Sequence, residues 1–198
     1  MQRGVTKKLY LCKMENRQQI ILGIDPGTNS MGFGIICVKD KKISLVKMGT
    51  LKIDAKQEQL LKLKDIFETT TQLIETYSPD VLSIEAPFYG KNIQSMLKLG
   101  RAQGVAIAAA VHRNIPVFEY SPRKVKLAIT GKGAASKEQV AAILHHLIDF
   151  EYDTTQFDAT DALAIAICHH VQNKSITGNK SYSGWEAFLS KNPERIKG

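Results

Sequence analysis

Residues 20–53, IILGIDPGTNSMGFGIICVKDKKISLVKMGTLKI, carry the reading that decides the fold. The run from Ile20 stays apolar up to Asp25 and stops at Pro26-Gly27, the pattern of a buried strand closed by turn residues. Gly32–Val38 and Ile43–Ile53 are two more strand candidates, and Asp40-Lys41-Lys42 between them suits a hairpin turn. The connections are too short for crossover helices, so the three segments predict an antiparallel meander.

Downstream, the pattern changes period. Leu60, Leu61, Leu63, Ile66, Phe67, Leu73 and Ile74 have helical spacing, with Ser78-Pro79 as the stop. Val81–Glu85 reads as a short buried strand, 92–113 as a second helix and Pro116–Tyr120 as a fifth strand. Pro122 is a plausible helix start, and Gly131-Lys132-Gly133 a loop. Ser136–Leu147 is a helix that Ser136 suits as N-cap, and 156–172 is a last, Ala- and Ile-rich helix. The order β-β-β-α-β-α-β-α-α predicts an α/β fold with a mixed five-stranded sheet flanked by helices. Residues 1–19 form a basic extension, 20–173 the folded domain and 174–198 a polar, basic tail. Met14 is a possible alternative start to Met1.

Four acids stand at telling places. Asp25 ends the first strand and Glu85 the fourth; as parallel neighbours, these strands deliver both carboxylates to one sheet edge. Asp158 and Asp161, three apart at the start of the last helix, share a helical face. Asp158 has a bland reading too, as a first-turn acid facing the helix dipole or returning a capping-box bond to Thr155. Asp161 has apolar neighbours, Ala162, Leu163 and Ile165, and fits that reading less well. Three or four converging carboxylates suit hard Mg²⁺, which takes oxygen ligands and leaves room for substrate phosphate. Two such ions can flank a scissile phosphate.

The charge distribution points the same way. The net charge is +8, and residues 86–140 hold nine basic and two acidic groups, whereas 141–173 hold five acids and no base. A basic segment beside an acidic one suits a polyanion held next to a metal-binding cluster; solvated surface patches are the plainer alternative. No apolar run approaches the roughly 20 residues of a membrane span, so no membrane partner is predicted. Cys12, Cys37 and Cys168 are odd in number with no close pair, which predicts reduced thiols in a cytoplasmic protein. The paired histidines, 145–146 and 169–170, lack metal-ligand spacing and read as packing or surface residues. Gly100, Gly104 and Ala108 line one face of the second helix, a close approach to either the sheet or a partner subunit.

Taken together, these segments resemble a known family. Ile-Leu-Gly-Ile-Asp-Pro-Gly-Thr-Asn at 21–29 resembles the opening strand of the RuvC family of Holliday-junction resolvases, and Ser-Ile-Glu-Ala-Pro-Phe at 83–88 its second motif. The segments 91–104, 119–126 and 131–137 resemble its following helix and basic region, and Phe-Asp-Ala-Thr-Asp-Ala-Leu-Ala-Ile-Ala at 157–166 its last catalytic motif. Pro87 departs from the commoner Gln-containing form of the second motif.

The resemblance implies an RNase H-like fold, a homodimer, and Mg²⁺-dependent nicking of two strands of like polarity in a four-way DNA junction. It implies two ions per site, with Mn²⁺ as a substitute. Asp25, Glu85 and Asp161 would be catalytic metal ligands and Asp158 the fourth acidic position. Phe88 would stack on a base near the junction centre. Lys126 and Lys137 would stand near the scissile phosphate, with Lys91, Asn92, Arg123 and Lys132 as further DNA contacts. RuvA and RuvB, the branch-migration pair, are the implied partners. Other readings are an RNase H-like nuclease for RNA–DNA hybrid or branched DNA, a non-catalytic junction-binding module, and an actin-like ATPase or sugar kinase. The last needs a second Asp-x-Gly-Thr hairpin, which the sequence lacks.

Overall fold

A computed structural model describes residues 18–40, 42–87, 92–148 and 157–178, the last five as backbone only. The strands are β1 Gln18–Asp25, β2 Ser30–Lys39, β3 Lys42–Lys52, β4 Val81–Glu85 and β5 Val117–Tyr120. The helices are α1 Gln59–Tyr77, α2 Ile93–His112, α3 Pro122–Thr130, α4 Lys137–Leu147 and α5 Phe157–Gly178. The sheet order is β3-β2-β1-β4-β5. The first three strands pair antiparallel, and β1, β4 and β5 run parallel. This is the RNase H-like arrangement that the resemblance implies. Among the described residues no helix is long and apolar enough to cross a membrane.

Two layers cover the sheet, and strand alternation decides what faces each. Ile20, Leu22 and Ile24 of β1 join Leu82 and Ile84 of β4 in a core with α1 and α2. Ile21 and Val81 point the other way, into a core with α3, α4 and α5. With a side-chain period of two, Gly23, Asp25, Ser83 and Glu85 fall on that second face as well. The alternation therefore sends both strand-end acids toward α5.

On that face the sheet is floored with glycine. A Cβ at Gly34 would lie 2.7 Å from Leu163 Cα, one at Gly23 would meet the backbone of Ala162 and Ala166, and one at Gly32 the carbonyl of Asp158. Gly23 and Gly34 stand directly opposite each other, as do Asp25 and Gly32. Helix α5 answers with Ala159, Ala162 and Ala166, all fully buried. Backbone lies on backbone along this seam, which fixes α5 in height and position over β1 and β2.

The structure departs from the sequence reading in four places. Pro122–Thr130 is a helix of its own, so three helices follow β5 rather than two. Ser121 caps it, Pro122 occupies its first turn, and Gly131 ends it at φ 73°. Helix α5 runs to Gly178, beyond 172. In α1 the leucines at 60 and 61 are exposed, and the buried stripe is Lys62, Ile66, Thr70, Leu73, Ile74 and Tyr77. Cys37 is disulfide-bonded, against the expectation of reduced thiols. Cys168 is free and buried.

Candidate active site

Asp25, Glu85 and Asp161 line one pocket of about 200 Å³, together with Lys126 and Lys137. Each arrives on a different element: Asp25 from β1, Glu85 from its parallel neighbour β4, and Asp161 from the second turn of α5. Lys126 is carried by α3 and Lys137 by the first turn of α4. That first turn is fixed by a full capping box, in which Ser136 and Gln139 bond each other's backbone N–H.

The acids disturb one another. Burial, then the charges of Glu85 and Asp161, push Asp25 up to about 8. Glu85 is pushed up to about 7 by burial and by Asp161, with Lys137 and Lys126 working against the rise. Burial opposes the charge of Lys137, but its hydrogen bond and ion pair with Asp161 prevail and raise it. Among the described residues no three His, Cys, Asp or Glu side chains are already placed to hold an ion. The Lys137 ammonium pairs with Asp161. The donor set is chemically suited to a hard divalent cation, with oxygen ligands from three elements and negative charge that the two lysines offset only in part.

Asp158 lies near enough for its charge to add to the rise of Asp25 and of Lys137, and it lines an adjoining groove with Ser30, Lys47, Thr50 and Lys52. Arg123 is exposed, its aliphatic stem against Gly133, and Lys132 is an exposed loop residue. Asn92 is the exposed N-cap of α2, its side-chain oxygen accepting from Ser95 N–H at 3.1 Å. Phe88 and Lys91 lie outside the described residues, as does Thr155.

Two positions that sequence reasoning passed over support the site. The buried Gln103 amide, reaching from α2, donates to the Glu85 carbonyl at 3.1 Å and to the Glu119 carboxylate at 2.7 Å. It ties α2 to the end of the strand that carries Glu85. Lys62 is 6% exposed and donates to Ala55 O at 3.0 Å and Asn29 Oδ1 at 3.3 Å. Together with the Ile53 N–H bond to Asn29 O, at 3.0 Å, it pins the loop that follows Asp25. A lone Gln or Lys within an amphipathic helix carries no sequence signal for either role.

Comparison with known proteins follows the same lines. The family described as crossover junction endodeoxyribonuclease RuvC matches residues 21–169. The chain is 52% identical over 180 residues to a protein of that name from Christiangramia forsetii, covering 91% of this chain and 94% of that one. It is likewise 52% identical over 183 residues to the Bacteroides fragilis protein of that name, covering 91% and 97%. Among solved structures it is similar to T. thermophilus RuvC in complex with Holliday junction substrate. The TM-score there is 0.75 at 28% identity, covering 80% of this chain and 97% of that one.

Proposed function

Since the chain belongs to the RuvC family of crossover junction endodeoxyribonucleases, we propose that it is a metal-dependent endonuclease that resolves four-way DNA junctions, nicking two strands of like polarity. The observation that carries the mechanism is the meeting of Asp25, Glu85 and Asp161 with Lys126 and Lys137 in one pocket. The three carboxylates would hold the divalent ions, two of Mg²⁺ in this reading, with Asp158 as the fourth acidic position. When bound, such ions supply a water of lowered pKa and charge for the leaving oxygen. The protein's own part is positional and electrostatic. β1 and β4 present two acids side by side, and the glycine seam sets Asp161 against them. Lys126 and Lys137 face the non-bridging oxygens of the scissile phosphate, where an ammonium stabilises developing charge. Phe88, Lys91, Asn92, Arg123 and Lys132 are the proposed outer contacts with junction DNA, all within the proposed nuclease unit, 20–173.

A homodimer would present two such pockets to two strands. The open face of α2 supports it. Ile93, Leu97 and Val111 are 64%, 50% and 59% exposed, and nothing lies within 4 Å of a Cβ built at Gly100 or Gly104. Coupling to RuvA and RuvB rests on family membership.

The test is cleavage of a synthetic four-way junction, each strand end-labelled in turn, with Mg²⁺ or EDTA, beside duplex and RNA–DNA hybrid. Symmetric, metal-dependent nicks in two opposing strands of the junction alone are expected. Cleavage of the hybrid in preference to the junction would replace this reading with the other RNase H-like one.

A pH dependence follows from the same pocket. In the metal-free protein, folded Asp25 and Glu85 keep protons up to about pH 8 and 7, whereas their ordinary values are 3.8 and 4.5. The folded state then binds more protons than the unfolded one, so stability falls as pH rises from about 4 to about 8. Thermal melts in EDTA should drop across that window, and Mg²⁺ should raise Tm more at pH 8 than at pH 6. A flat EDTA profile would show that the acids are not held together as described.

A further inference from the structure

Apart from Asp158, the groove beside the pocket has no part in the chemistry described so far. It has a volume of about 490 Å³, more than twice that of the acid pocket, and lies where β2 and the edge strand β3 meet the first turn of α5. Such a volume falls in the roughly 300–1,000 Å³ range of ligand clefts. Two exposed lysines, Lys47 and Lys52, line it with the hydroxyls of Ser30 and Thr50, and neither lysine is ion-paired among the described residues.

The strand register connects this groove to the acids. Thr50 stands opposite Gly32, and Gly32 stands opposite Asp25. Two interstrand spacings of about 4.8 Å separate Thr50 from Asp25, roughly 10 Å in all. At about 3.4 Å of helix axis per nucleotide, and a wider spacing between successive phosphates along the strand itself, that is at most about three nucleotides. The pocket and the groove adjoin at α5, where Asp161 lines the pocket and Asp158, three residues earlier, lines the groove. The acids thus lie between two cationic flanks: Lys126 and Lys137 on one side, Lys47 and Lys52 on the other.

We propose that this groove holds the phosphodiester backbone of the DNA strand being cut, within about three nucleotides of the scissile phosphate, with Lys47 and Lys52 each neutralising one phosphate. The inference rests on the junction-nuclease reading and extends it to a part of the fold which the basic segment 86–140 does not include. Its chemical logic is that of a polyanion drawn over an acidic centre. The carboxylates repel the strand, so cations on both flanks must hold it in place. Contacts of this kind fix register and carry no base preference.

The test uses the full chain. Junction binding in EDTA is followed by fluorescence anisotropy from 50 to 200 mM KCl for wild type, Lys47→Gln/Lys52→Gln and the charge-matched control Lys42→Gln/Lys56→Gln, whose residues lie outside the groove. Each phosphate contact contributes about 0.9 to the slope of log K against log [salt]. Loss of both contacts should flatten the slope by about 1.8, so that wild type loses roughly tenfold more affinity than the groove variant across that range. The control should keep the wild-type slope. An unchanged slope in the groove variant, or an equal loss in the control, overturns the proposal. Wild type that cleaves the junction normally while the groove variant keeps its slope defeats this inference alone. Wild type that neither binds nor cuts junctions defeats the nuclease reading beneath it.

Discussion

Asp25→Asn is expected to lower junction cleavage by about 10³-fold or more and to leave junction binding and folding intact. A 10³-fold loss corresponds to about 4 kcal/mol of transition-state stabilisation, the scale on which a ligand to a catalytic ion acts. The substitution is nearly isosteric, so the strand end and the loop pinned by Lys62 keep their packing. It removes a charge that the folded protein holds at a cost, since burial and the neighbouring carboxylates of Glu85, Asp161 and Asp158 push Asp25 up to about 8. The variant should therefore melt higher than wild type in EDTA at pH 8 and show a flatter pH profile. Loss of activity together with a raised Tm separates damage to the site from damage to the fold. Cleavage at wild-type rates would remove Asp25 from the chemistry altogether.

The second large effect is predicted for a single methyl group. Gly34→Ala places a Cβ 2.7 Å from Leu163 Cα and 2.8 Å from Leu163 N, both backbone atoms with no rotamer to change. Helix α5 has to lift, and overpacking of this sort costs about 1–3 kcal/mol. For a chain of this size, that is a fall in Tm of roughly 2–12 °C. Because Asp161 rides on the same helix, cleavage should fall as well, under conditions where the variant is still folded. Gly104→Ala is the contrast. Nothing lies within 4 Å of a Cβ there, and alanine is favoured over glycine within a helix by about 0.5–1 kcal/mol. Thermal melts of the two variants side by side check the seam: equal behaviour would mean that α5 is not seated on glycine.

Much of this molecule is local and was legible as such. The strand that ends at Asp25, the turn at Asp40, the stop at Ser78 and the Ser136 cap all follow from neighbouring residues, and each sits where its signal places it. The placement of Asp25 and Glu85 needed one further inference, that β1 and β4 are parallel neighbours, and they are. Features that depend on distant residues were not legible. Gly23, Gly32 and Gly34 look like strand weaknesses until α5, more than 120 residues later, is laid over them. The i, i+3 spacing of Asp158 and Asp161 puts both on one side of a helix, but it does not foretell that Asp161 lines the pocket while Asp158 lines the adjoining groove. Leu60 and Leu61 fit the helical pattern yet face outward, while Lys62 is buried because its ammonium finds two oxygens in another part of the chain.

The strand order has a consequence for amide hydrogen exchange. β1 and β4 are bordered on both sides, and β3 and β5 are the rims. Amides of Ile21–Ile24 and Leu82–Ile84 should exchange deuterium only when the whole domain opens, whereas the outer amides of β3 should exchange through local fluctuation. Asp25 and Glu85 thus hang from slowly exchanging central strands, and Lys47, Thr50 and Lys52 from a faster-exchanging rim. A rim that breathes can follow the changing shape of a branched duplex while the centre beneath it keeps its geometry.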